Sequence, residues 1–255
     1  MKLVDVHAHL DFPEYAKDLD KVLRKAEEAG VKAVIANGVH KESNRSVLGI
    51  AKKFRVVKPA LGFYPTHTWE FEEEEVDEEL DFIKKNKEKI AIGEVGLDYK
   101  YNENEKDKER KTRIQKKFFE KIIGISEKTR KPLIVHSRKA ELDVIEMLES
   151  SSLKNPVLHC FSGKKKLMQR AADNGWNFTV PVIVFKSQQF QDMTDYVNLS
   201  KLLTETDGPY MAPLPSERNV PENVRLAIKK IAEIKKMDEI EVANNIFMNY
   251  QRLFL

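Results

Sequence analysis

The sequence predicts an α/β fold, a single closed (β/α)8 barrel with its mouth at the carboxyl ends of the strands. Three observations predict it. The 255 residues fit one α/β barrel, a size at which such folds commonly form one domain. Eight short, almost wholly apolar stretches alternate with amphipathic ones, as expected of parallel strands buried on both faces. Six histidines and acids stand where apolar stretches run out. Eight such units favour a closed barrel over an open doubly wound sheet. No linker, low-complexity tract or repeat marks a second domain within 1–255.

The first strand is Leu3-Val4-Asp5-Val6-His7-Ala8-His9, followed by a loop at Asp11-Phe12-Pro13-Glu14. Leu19, Val22, Leu23 and Ala26 at helical spacing predict a helix over Asp18 to Ala29, ended by Gly30. Lys32 to Ala36 reads as a buried strand, Lys41 to Phe54 as a helix, and Val56 to Leu61 as the third strand, closing on Gly62-Phe63-Tyr64-Pro65. The acidic run Glu70 to Glu79 leads into Leu80, Phe82, Ile83 and a lysine-rich end. Acid first and base last suit a helix dipole, so this is a solvated helix face. Ile90 to Asp98 is a strand breaking into a glycine-flanked loop, and Asn102 to Lys131 opens with charges before a long helix. Pro132 to His136 and Pro156 to His159 are strands around a helix at Glu141 to Ser150. Lys164 to Asn174 is helical, Asn177 to Phe185 a strand, Ser187 to Tyr196 a helix, and Leu202 to Asp207 the eighth strand. Helices at Val220 to Lys236 and Asp238 to Phe254 finish the chain.

The net charge of +3 is too small for a dominant nucleic-acid-binding patch, so partners must be argued from the site. Cys160 is the only cysteine, which excludes an internal disulfide and a thiolate zinc cluster and suits a reducing, cytoplasmic setting. No signal peptide and no run long enough to span a bilayer is visible.

Alternate strand residues share a face, so His7 and His9 can meet one ion, at about 2.1 Å for an imidazole ligand. Alone, the pair reads as two hydrogen-bonded histidines near a terminus. Barrel active sites lie at the carboxyl ends of strands, and there Glu94, His136, His159 and Asp207 join the pair. Four imidazoles and two carboxylates exceed what one tetrahedral zinc needs. They suit two divalent ions, magnesium, manganese or zinc, with Glu94 as the bridge between the histidine pairs. The residual positive charge would attract an anionic substrate and favour hydroxide over water.

Five motifs together resemble the TatD-type metal-dependent deoxyribonucleases. They are Val4-Asp5-Val6-His7-Ala8-His9-Leu10-Asp11, Ile92-Gly93-Glu94-Val95-Gly96-Leu97-Asp98-Tyr99, Val135-His136-Ser137-Arg138, His159-Cys160-Phe161-Ser162-Gly163 and Glu205-Thr206-Asp207. Asn249 to Phe254 is similar to the family's closing helix. The resemblance implies a barrel of the amidohydrolase superfamily that hydrolyses DNA phosphodiesters, exonuclease-fashion, with divalent metals. It assigns His7, His9, Glu94 and Asp207 to one ion, and His136, His159 and Glu94 to the other. Asp207 would also take the proton of the attacking water. Where the family often reads Gly-x-His-Pro-His, this chain has Gly62-Phe63-Tyr64-Pro65-Thr66-His67, with Tyr64 at the first histidine position and His67 offset by one. The loop after Asp207 keeps Arg218-Asn219 but lacks the usual glycine and lysine before them.

His67 and Arg138 are the candidate substrate contacts, Arg138 because a guanidinium can fork onto phosphate or form a structural salt bridge. The start of the Lys164 helix, with Ser162 and Gly163, could offer N–H groups to an anion. Lys164 to Lys166 read as a solvated face, Cys160 as core packing and His40 as a loop residue. Trp69, Trp176 and Tyr99 read as packing before base stacking, and Asp98 and Tyr99 as support for ligating imidazoles. The rival function is an amidohydrolase of a small amide, lactone or ester; relatives of that kind often bridge with a carboxylated lysine, where this chain has Glu94. A non-catalytic metal-binding protein is disfavoured by the full set of six ligand-type residues. DNA is the expected substrate, with no membrane and no obligate protein partner.

Overall fold

A computed structural model describes residues 1–100, 106–214 and 217–255. Eight parallel strands pair in chain order into one sheet. They are β1 (Leu3–Ala8), β2 (Val31–Asn37), β3 (Val57–Leu61), β4 (Ala91–Gly96), β5 (Leu133–His136), β6 (Val157–Leu158), β7 (Asn177–Pro181) and β8 (Leu202–Glu205). Between them run α1 (Leu19–Glu28), α2 (Lys41–Lys53), α3 (Glu73–Lys85), α4 (Lys108–Thr129), α5 (Glu141–Glu149), α6 (Lys165–Asp173) and α7 (Gln188–Tyr196). After β8 come α8 (Val224–Lys235) and α9 (Glu239–Phe254). Every strand residue is buried except Lys32, Lys58 and His136, as expected when helices cover one face and barrel filling the other. Among the described residues no helix is long and apolar enough to cross a membrane.

The barrel closes where β8 meets β1, and it closes at the mouth. Asp207 N donates to His7 O (2.9 Å), and His9 N to Gly208 O (2.7 Å). Lower down, Thr204 Oγ1 donates to Val4 O at 2.6 Å. Asp5 cements the seam with one carboxyl group, accepting from Thr206 N, Thr206 Oγ1 and His7 N. At the opposite end α9 is tied to the foot of β8 by Asn249, whose amide donates to Leu199 O and Leu202 O, each at 2.8 Å.

Two glycines let the chain pass close around Glu94. A Cβ on Gly62 would stand 2.4 Å from Glu94 N. One on Gly96 would stand 2.1 Å from His136 O, at a φ of +137° that side chains rarely adopt.

Several predicted boundaries move. The strand expected from Asn177 to Phe185 ends at Pro181, which lacks an N–H for the ladder, and Val182–Phe185 coil into a 3-10 turn instead. Pro221–Asn223 likewise form a 3-10 turn before α8. The charged opening predicted at Asn102 lies outside the described residues up to 105, and α4 begins at Lys108.

Candidate metal centre

Five strand ends deliver the six predicted residues to one place. His7 lies one residue before the end of β1 with His9 just beyond the strand, Glu94 lies in β4, His136 ends β5, His159 follows β6, and Asp207 follows β8. Asp207 has a φ of 57°, a left-handed turn that Asp tolerates better than most residues. Glu94 stands between the histidine pairs and divides its oxygens between them. Oε2 lies 3.5 Å from His7 Nε2 and 3.3 Å from His9 Nε2. Oε1 lies 2.7 Å from His136 Nδ1 and 3.6 Å from His159 Nε2. Asp207 Oδ1 completes the first pair's surroundings, 3.6 Å from His7 Nε2 and 3.4 Å from His9 Nε2.

The outer nitrogens of three imidazoles are held by acceptors, which turns the other nitrogen inward. His9 Nδ1 donates to the Asn37 carbonyl at 3.2 Å. His159 Nδ1 bonds Glu205 Oε2 at 2.7 Å, and His136 Nε2 bonds Asp98 Oδ2 at 3.2 Å. Such outer partners fix the tautomer of ligating histidines. His7 differs: its buried ring nitrogens have no hydrogen-bond partner among the described residues, and its ring stacks on His159 at 3.6 Å. A buried polar atom left unpaired costs about 1–3 kcal/mol, a cost that a ligated ion would remove. The donor atoms form two overlapping sets, His7–His9–Asp207 and His7–Glu94–His159, each with all atoms within 4.8 Å. Ligands of one tetrahedral ion at about 2.1 Å lie roughly 3.4 Å apart, close to most of the separations just given. The donors fit a divalent metal, and His136 stands beside the second set with its Nδ1 on Glu94.

A family model for TatD-related DNases matches residues 4–255. The chain belongs to the TatD family. It is 29% identical to an uncharacterized metal-dependent hydrolase of Methanocaldococcus jannaschii over 255 residues, covering 100% of this chain and 97% of that protein. It is 29% identical to the human deoxyribonuclease TATDN3 over 264 residues, covering 99% and 94%. The crystal structure of YjjV, a TatD homologue from Escherichia coli, superposes with a TM-score of 0.87 at 25% identity, over 99% of this chain and 97% of that one.

In this TatD-family site the carboxylates of Glu94 and Asp207 are held ionised. Burial opposes the charge on His9 and His136 but loses to hydrogen bonds with Asp207, Glu94 and Asp98, so both imidazoles are raised and must release a proton to an ion that binds. Burial opposes the charge on Glu94, but His7 and His136 outweigh it and hold the carboxyl well below its usual range. Asp207 is lowered in the same way, burial losing to His9, His159 and His7. Burial, then His159, pushes His7 down, leaving it a neutral lone-pair donor. Burial also opposes charge on His159, yet Glu205 raises it to about 9. Burial pushes Asp5 up to about 8 against its bonds from Thr206 and His7.

Five of the six, all but the fully buried His7, line a cavity of about 980 Å³ that His67, Arg138, Tyr64 and Trp69 also line. His67 lies outside both donor sets; its Nδ1 donates to Val39 O at 2.9 Å. Arg138 takes the salt-bridge option, its Nε (3.0 Å) and Nη2 (2.6 Å) both on Asp98 Oδ2, while it still borders the cavity. Cys160 packs against the core but also lines the cavity, at a φ of 43°. Trp176 is buried in the core, and Tyr99 donates to Asp143 at 2.6 Å. Trp69 lines the cavity beneath Lys111 Nζ, 5.0 Å from its ring centroid. Lys164 to Lys166 are exposed, and His40 caps α2.

Sequence reasoning assigned no part to Glu205 or Asn37. Glu205 had a signal: an acid in an apolar strand, two residues before Asp207 and therefore on its face. Asn37 acts on His9 through its main-chain carbonyl, which no side-chain pattern reports.

Proposed function

We propose that this protein, acting as a single domain over residues 1–255, is a two-metal hydrolase that cleaves DNA phosphodiesters in exonuclease fashion. His7, His9 and Asp207 with Glu94 would hold one divalent ion, and His136 and His159 with Glu94 the other; the four imidazoles favour zinc, and magnesium or manganese would lean on the two carboxylates. The observation that carries this reading is the division of the Glu94 oxygens between the two histidine pairs. The human relative named as a deoxyribonuclease supports DNA as the substrate.

Bound ions supply Lewis acidity and make water a usable nucleophile near neutral pH. Asp207 keeps an ionised carboxylate at the mouth, so a carboxylate oxygen takes the proton of the attacking water. Arg138 borders the cavity and offers its guanidinium to a phosphate oxygen. His67 contacts the substrate from the rim formed after β3. The buried His7 ring, whose nitrogens have no hydrogen-bond partner among the described residues, is suited to holding metal.

The test is hydrolysis of end-labelled DNA beside a panel of small esters and lactones, after chelation and after each metal is added back. DNA turnover that vanishes on chelation and returns with metal is expected. Turnover by fully stripped protein would sink the reading, and rapid lactone hydrolysis with none of DNA would move the protein to the rival amidohydrolase class.

A further inference from the structure

We propose that Tyr64 is a positioning residue for His136, acting through Asp98, so that its hydroxyl secures the half of the centre built by β5 and β6. The inference rests on reading His136 as a metal ligand. Tyr64 is also where this chain departs from the family's histidine pattern.

The Tyr64 hydroxyl lies 2.6 Å from Asp98 Oδ2 and 3.2 Å from His136 Nε2. A phenol has one proton, and the nearer carboxylate is the stronger acceptor, so the proton goes to Asp98. None remains for a substrate, which makes the role one of positioning. The same Oδ2 also receives His136 Nε2 at 3.2 Å and Arg138 through Nε at 3.0 Å and Nη2 at 2.6 Å. Four donor atoms on one oxygen exceed what its lone pairs serve with good geometry, so its place is set by competition.

The backbone of Asp98 cannot shift to relieve the crowding, which leaves only a pivot of its carboxyl group. Oδ1 accepts from Lys100 N at 3.0 Å, and Gln115 of α4 clamps the backbone at both ends, accepting from Asp98 N (2.7 Å) and donating to Asp98 O (2.9 Å). With the tyrosine hydroxyl gone, the two guanidinium nitrogens of Arg138 draw Oδ2 toward themselves. His136 then loses the acceptor that aims its Nδ1 at Glu94.

The experiment is calorimetric titration of the purified full chain with zinc alone. His136→Ala first identifies the ion that depends on His136. Tyr64→Phe is expected to weaken that ion by about 10- to 100-fold, the range for outer partners of metal ligands, and to leave the other unchanged. Asp98→Asn combined with Tyr64→Phe should be no weaker than Asp98→Asn alone, because both act through one carboxylate. Arg138→Gln in the Tyr64→Phe background should recover affinity by removing the competitor, which a general folding defect would not allow. Wild-type affinity in Tyr64→Phe, equal weakening of both ions, or failure of that recovery overturns the inference. If His136→Ala itself loses no ion, the assignment of His136 under the proposed function fails, a result distinct from failure at Tyr64.

Discussion

The two halves of the centre are built from the same imidazoles but backed differently. On the β1–β8 side, His9 is oriented by a neutral main-chain carbonyl and His7 by ring contacts with His159 and His9. On the β5–β6 side, His136 and His159 each lean on a buried carboxylate, Asp98 and Glu205. A carboxylate behind an imidazole raises its basicity and its hold on a cation, whereas a carbonyl mainly sets direction. The first half draws its negative charge from Asp207 at the mouth, the second from residues behind the rings. The difference is one of placement: one side keeps a carboxylate facing the cavity, the other keeps its carboxylates behind the rings.

The largest expected effect removes what the halves share. Glu94→Ala should lose both ions and with them nearly all turnover, while His136→Ala should lose chiefly one; plasma emission counts the metal. A Glu94→Ala protein with an unchanged metal count would end the idea of a common bridge. Next, Asp207→Asn should keep most bound metal and drop DNA turnover by about 10²- to 10⁴-fold, the usual cost of a lost general base. Metal loss in step with activity would make Asp207 a ligand and nothing more.

The backing groups then sharpen the contrast. Glu205→Gln should weaken metal binding on the His159 side by about 10- to 100-fold, read by titration with manganese. Asn37→Ala should leave binding near the wild-type level, because the acceptor for His9 belongs to the main chain. Equal losses in the two variants would erase the distinction between the halves. The smallest effect on the centre's chemistry belongs to a packing change. Phe178→Ala, on β7, which supplies none of the six candidate ligands, should cost about 3–5 kcal/mol of stability in a denaturant melt and leave metal stoichiometry intact.

Much of this was legible in the chain. Continuous apolar runs such as Ile90-Ala91-Ile92 announced parallel strands, and the ligands fell where those runs ended because a barrel mouth lies there. Pro181 cut the seventh strand short through a missing N–H, a local rule overlooked in a long apolar run. What lay beyond reading was pairing across distance. His159 meets Glu205 46 residues later, and Arg138 meets Asp98 40 residues earlier, so the choice between salt bridge and phosphate contact depended on the fold. His9 and the Asn37 carbonyl leave no side-chain trace at all.

The seam between β8 and β1 carries a consequence for the order of assembly. His7 and His9 leave the ribosome well before Asp207, whose carboxylate completes their side and whose main-chain N–H donates to His7 O across about two hundred residues of sequence. Contacts that distant in sequence form late, since the intervening chain must be ordered first. A nascent polypeptide finished only through β7 therefore has two histidines and no Asp207 beside them. By this proposal the chain cannot cut anything until its last strand has docked, so the safeguard against a half-made hydrolase is the topology of the barrel.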